Sequence, residues 1–187
     1  KEDIVTGFRN VGSYKKGFSY IMLAIVKRQL MEDVMARMCA KPENIRLETE
    51  ILYLYLLKTL IVKQDKVSFV LNVQEYYSEI IIIDKTKPVF SRRVINEEGW
   101  LDEIGRSINA YTRDKNNREI EEVIIAHNSG FNIESIKPGI KAFFTMPVSF
   151  HEYQDDFKNL EFPLEIDLLP REYIDKRLNK ENARQAL

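Results

Sequence analysis

The chain has 187 residues, 44% hydrophobic and 30% charged, and its 28 basic side chains against 29 acidic ones give a formal net charge of -1. This supports one or two packed domains and excludes a disordered or fibrous chain. The balanced, scattered charge provides no field for holding nucleic acid. A lone cysteine, Cys39, excludes an internal disulfide and suits a reducing compartment.

In chain order, residues 18–26 (FSYIMLAIV) are a nearly continuous apolar run, as expected of a strand covered on both faces. From Lys27 the period lengthens. Leu30, Met31, Val34, Met35 and Met38 share one helical stripe that should end near Lys41 and Pro42. Ile45 and Leu47 suggest a short strand, and Thr49 is placed to cap a second helix. That helix, within residues 51–62 (ILYLYLLKTLIV), is apolar nearly all round, so it is either central to a domain or shared with a partner. Lys58 and Thr59 interrupt it, and it is shorter than the roughly 20 residues that span a bilayer.

The polar stretch 63–66 (KQDK) marks a boundary. Three β-rich runs follow, at 67–73, 79–84 and 88–95, separated by EYYS and KTK, which are short enough for antiparallel hairpins. A helix carrying Leu101, Ile104, Ile108 and Tyr111 leads to a short buried strand, EVIIA, at 122–126. A second helix with Ile133, Ile136, Ile140 and Phe144 leads to a last strand at 146–150. The order β-β-β-α-β-α-β is that of an RNase H/actin-like α/β sheet, here preceded by a smaller βαβα half. The expected divisions are a partial first half-domain over 1–64, the RNase H/actin-like half over 65–151, and an extended docking segment with a juxtamembrane helix over 152–187.

Chemistry on this sheet needs residues that the chain does not offer. A two-metal nuclease needs carboxylates on the first strand, on the first helix and after the fourth strand. The chain instead has Asn72 on the first strand, and Ala126, His127 and Asn128 at the end of the fourth, leaving Glu103 alone on the helix. An actin-like ATPase cradles phosphate with glycine-rich turns. The first such turn here is Gln74-Glu75-Tyr76-Tyr77-Ser78, without glycine and with a carboxylate where phosphate would sit. Gly130 and Gly139 follow the fourth strand, Gly130 reading as a turn residue at positive φ. His127 and His151 read as polar caps at strand ends, Cys39 and the methionine stripe as packing, and Trp100 as a helix staple. No catalytic, cofactor or metal residues are expected.

Several stretches carry a family resemblance. SYIMLAIVKRQLMEDVMARM through NIRLETEILYLYLL resembles PilM-type proteins. VSFVLNVQEYYSEIIIIDKTKPVFSRRVI and IGRSINAYTRDKNNREIEEVIIAHNSG look like the opening of the second half of that family, then its helix and next strand. LEIDLLPREYIDKR is similar to the I-N-L-L-P segment that PilN-type proteins carry just before a transmembrane helix. The resemblance extends to GspL of type II secretion. It implies an actin-like domain on the cytoplasmic face of the inner membrane, within the platform that assembles type IV pili or drives type II secretion. The glycine turns, the first phosphate turn and room for the family's extra subdomain are missing, so the family's ATP site is not carried over.

The expected function is thus a non-catalytic scaffold that binds other platform proteins as a dimer or hetero-complex and reaches the membrane only through a segment beyond the chain. The alternatives are an actin-fold ATPase or kinase fragment and another regulatory module of the same fold. The expected partner-docking residues are Leu164, Ile166 and Leu168, which alternate with Glu165 and Asp167 in an extended segment held between Pro163 and Pro170, and Leu169 and Pro170, which turn the chain out. A second possible interface is Leu52, Tyr53, Leu56 and Leu60 on the apolar helix. Lys176, Arg177, Lys180 and Arg184 form a mild basic run, a solvated helix face or a juxtamembrane segment.

Overall fold

The computed structural model describes residues 3–15, 17–38, 42, 45–115, 117–154, 166–170, 173–176 and 179. The chain forms two compact units, one of residues 1–50 with 163–187 and one of residues 51–162.

The second unit is built on a five-stranded mixed sheet of β3 (Val67–Val73), β4 (Tyr77–Asp84), β5 (Lys87–Ile95), β6 (Glu122–Asn128) and β7 (Val148–Tyr153), in the order β5-β4-β3-β6-β7. The β3–β4 and β4–β5 pairs are antiparallel, and the β3–β6 and β6–β7 pairs are parallel. Three antiparallel strands followed by two parallel ones, with β3 at the centre, make this the RNase H/actin-like sheet that the run of elements implies. Its inner strands are apolar on both faces because both faces are covered: all of β3 and Ile80 to Ile83 of β4 are buried.

On one face, α3 (Trp100–Thr112) brings Ile104 and Tyr111, and α4 (Lys137–Phe143) brings Ile140, against Phe69, Leu71, Ile80, Ile82 and Ile125. The helix expected from Ile133 to Phe144 is split into a 3-10 turn, Ile133–Ser135, and α4, which starts at Lys137 with a proline in its first turn. Pro138 lacks the amide that a continuous helix would need. On the other face, α2 (Glu48–Lys58) sends Tyr55 edge-on to Tyr153 and Tyr53 to the carbonyl of Thr86.

Leu52, Tyr53 and Leu56 are buried inside the chain, so the partner surface expected on this helix is core instead; only Leu60, 72% exposed, remains outward. Leu60 has also left the helix, at φ 56. An all-apolar helix is what a sheet covered on both faces requires of its central element. Thr49 lies within the first turn of α2, two residues past the position that would cap it.

The first unit differs more from expectation. Its order is strand, strand, helix: β1 (Ile4–Lys15), β2 (Phe18–Lys27) and α1 (Arg28–Ala36). β1 pairs antiparallel with β2, with irregularities between Asn10 and Gly12 and between Ser13 and Lys15. Gly7, Arg9, Asn10 and Gly12 break up the apolar alternation that would have announced β1. β2 is covered on one face only, with Ile21, Leu23 and Ile25 exposed on the other. Of the expected stripe on α1, Met31 is buried while Leu30 and Val34 face solvent. Residues 45–47 are extended without joining a strand ladder.

Candidate functional site

The inner face of the β1–β2 hairpin carries three cross-strand pairs, Val5 with Val26, Gly7 with Ala24, and Arg9 with Met22. The central pair is glycine against alanine, which leaves a trough in the middle of the ribbon. Ile166 and Leu168 fill it, 0% and 3% exposed, and join Val5, Ala24 and Met31 in one apolar cluster edged by Ile45 and Leu47. A methyl group on Gly7 would stand 2.9 Å from Ile166 Cγ2 and 3.1 Å from the Asp167 carbonyl oxygen. The absence of a side chain at Gly7 is what admits the segment. Burying two such aliphatic side chains stabilises the arrangement by about 3–6 kcal/mol before ordering costs.

Polar contacts hold the backbone of the segment. Leu168 N donates to the Ile45 carbonyl at 2.9 Å. The Asp167 carboxylate accepts from the amides of Ile45 at 2.9 Å and Leu169 at 3.0 Å. Ile166 N donates to Glu50, at 3.4 Å to Oε1 and 3.3 Å to Oε2, and Glu50 also pairs with Arg9 Nη1 at 3.1 Å. Leu169 and Pro170 are buried as well, and line a depression of about 380 Å³ with Ile4, Phe8 and Ile174. Tyr173 N then donates to the Pro170 carbonyl and opens a helical turn over residues 173–176. The structure thus brings Ile166, Leu168, Leu169 and Pro170 together on the hairpin; Leu164 lies outside the described residues, as does most of the basic run. Sequence reasoning identified the segment but missed the residues that receive it: Gly7 and Arg9 lie on a strand disguised by glycine and polar residues, and Ala24 and Glu50 lie on elements whose facing partners the local pattern does not show.

At the end of β3, where related sheets place phosphate turns, several polar groups are tied to one another, while the buried Asn72 Nδ2 has no partner among the described residues. Tyr153 donates its hydroxyl to Asn72 Oδ1 at 2.8 Å and accepts from Gln74 Nε2 at 3.1 Å. Asn96 donates to the Gln74 carbonyl at 2.7 Å and accepts from the Ser78 hydroxyl at 2.8 Å, clamping the glycine-free turn. Gly130 is in a turn whose amide donates to Asn128 Oδ1 at 2.7 Å. It does not have the positive φ expected of it, which among the glycines belongs to Gly12, Gly17 and Gly99. His127 is buried at the end of β6. Burial also holds the His151 ring below the usual imidazole range, against a smaller upward pull from Glu122. Among the described residues no three His, Cys, Asp or Glu side chains converge as a metal cluster, and no helix is long and apolar enough to cross a membrane.

No protein-family model matches the chain, and no curated protein does. Among solved structures it is similar to the PilM-PilN type IV pilus biogenesis complex, with a TM-score of 0.58 and 13% identity over 85% of this chain and 60% of that one. It also matches a Bacteroides thetaiotaomicron protein described as having an actin-like ATPase fold and unknown function, with a TM-score of 0.49 and 8% identity over 85% and 58% of the two chains. The chain therefore spans about three-fifths of either structure's length. Together with the order of the five-stranded sheet, the likeness to the PilM-PilN structure establishes an actin-like α/β fold.

Proposed function

We propose that the chain is a non-catalytic docking scaffold of an inner-membrane assembly platform, of the type IV pilus or type II secretion kind, that holds partner proteins on its cytoplasmic side. The observation that carries this reading is the trough on the β1–β2 hairpin, which is shaped to receive an extended I-x-L-L-P peptide. The chain's own segment occupies it through two apolar side chains and backbone hydrogen bonds. Such a mode takes affinity from the main chain and specificity from alternate side chains. The fold neighbour, a PilM-PilN complex in pilus biogenesis, supports the same reading. The self-clamped Gln74–Ser78 turn, with Glu75 where phosphate would approach, supports a role without nucleotide.

The test uses the full chain with Ile166→Asp and Leu168→Asp, which vacates the trough, and a synthetic peptide of residues 162–170. The variant is expected to bind the peptide with micromolar affinity by fluorescence anisotropy, and amide protection on the hairpin should recover with it. Failure to bind while the hairpin amides stay protected would refute docking. Millimolar Mg-ATP is expected to leave the melting temperature of the parent unchanged. A ligand at a hundred times its dissociation constant adds about 2.7 kcal/mol, so a clear rise would restore the ATPase reading.

A further inference from the structure

The outer face of the β1–β2 hairpin is built the wrong way round for a solvent face. The inner face holds the small residues Gly7 and Ala24, whereas Ile4, Phe8, Ile21, Leu23 and Ile25 stand outside, 44% to 64% exposed. Together they expose apolar surface on the order of 500 Å², near the top of what monomers carry, and such patches mark interaction sites. No charged residue interrupts the face between the Ile4–Lys27 pair at one end and the Asn10–Ile21 pair at the other. Asn10 uses its side-chain oxygen locally, accepting from Gly12 N at 2.9 Å, which lowers the cost of covering it.

The arrangement of this face is self-complementary. β1 presents Thr6, Phe8 and Asn10, and directly opposite, β2 presents Ile25, Leu23 and Ile21. A two-fold axis parallel to the strands, midway between two stacked ribbons, lays β1 of one copy over β2 of the other at the same height. Phe8 then meets Leu23 of the second copy twice, at the centre. The two isoleucines meet the smaller Thr6 and Asn10, so large side chains face small ones along the contact. Two sheets stacked this way lie about 10 Å apart and nearly aligned, and the contact is isologous, the commonest symmetry of soluble dimers. It would bury about 1,000 Å² in all, just below the range of stable interfaces, which predicts a weak, reversible dimer.

We propose that the outer face of this hairpin, centred on the Phe8–Leu23 pair, binds a second copy of the chain about such an axis. Sedimentation velocity of the full chain across roughly 1 µM to 1 mM should show a monomer–dimer equilibrium with a micromolar dissociation constant. Phe8→Glu and Leu23→Lys, each separately, should weaken self-association at least tenfold, while leaving the circular dichroism spectrum and melting temperature of the monomer close to the parent's, because both side chains face solvent there.

Mixing the two variants is the decisive arm. In the mixed dimer one contact becomes Glu over Lys and the other remains Leu over Phe, so native mass spectrometry should find the heterodimer well above either homodimer. A parent that stays monomeric throughout the range would overturn the proposal and leave the face to a different protein. Variants that self-associate like the parent would also overturn it. Single variants that dissociate without recovery in the mixture would overturn the proposed pairing.

Discussion

Arg9 and Glu50 make an ion pair at 3.1 Å in which the Glu50 side chain is fully buried and Arg9 is 13% exposed. Glu50 also accepts the Ile166 amide, so one carboxylate links β1, the first turn of α2 and the docked segment. A buried charge that loses its partner is far more costly than a pair replaced together. Arg9→Met should therefore cost about 3–5 kcal/mol in urea denaturation, and Glu50→Leu a similar amount. The double replacement should cost less than the sum, by a coupling of about 1–3 kcal/mol. Strict additivity would show that the pair contributes nothing beyond its separate parts.

At the scale of elements, the β4–β5 hairpin turns through Lys85 and Thr86 at φ 48 and 70, the two positive values that the right-handed twist of the strands demands. Glycine or asparagine suits such positions, whereas a β-branched residue there is strained. The Tyr53 hydroxyl donates to the Thr86 carbonyl at 2.5 Å, and this contact from α2 helps to hold the turn in place. Thr86→Gly keeps that carbonyl and removes the strain. It should stabilise the chain by about 1 kcal/mol or slightly more, a rise of about 2–4 °C in melting temperature. A fall would show that the threonine side chain makes a contact that outweighs its backbone cost.

For the whole molecule, the informative variable is pH, because the two units carry different titrating groups. His151 belongs to the unit of residues 51–162, and burial lowers its pKa from the ordinary value of 6.5. Between that value and the lower one in the fold, the unfolded chain binds more protons than the folded chain, so stability is lost as pH falls through this window. Urea midpoints at about pH 7.5 and about pH 5 should show the loss, and His151→Gln should reduce it. Amide exchange should assign the change to β6 and β7, with the hairpin unit unaffected. An identical pH slope in the variant would rule out His151 as the source.

The order of the second unit was legible from the sequence because its elements are long and regular. Its strands are apolar runs bounded by short polar turns, and α3 repeats its apolar residues at helical spacing. The same legibility reached Ile166 and Leu168, whose alternation between acidic residues implied a covered face before any cover was known. What tertiary structure alone decided is where each apolar surface went. Local pattern shows that a side chain needs cover but not what supplies it, and so residues 51–62 and 18–26 read alike. Leu52 and Leu56 are sealed because a five-stranded sheet leaves a whole face for one helix to close. Leu23 and Ile25 stay exposed because a two-stranded ribbon receives cover on one side only. β1 stayed hidden for a related reason: Gly7 is in that strand to admit another segment's backbone, a requirement set by residues about 160 positions away.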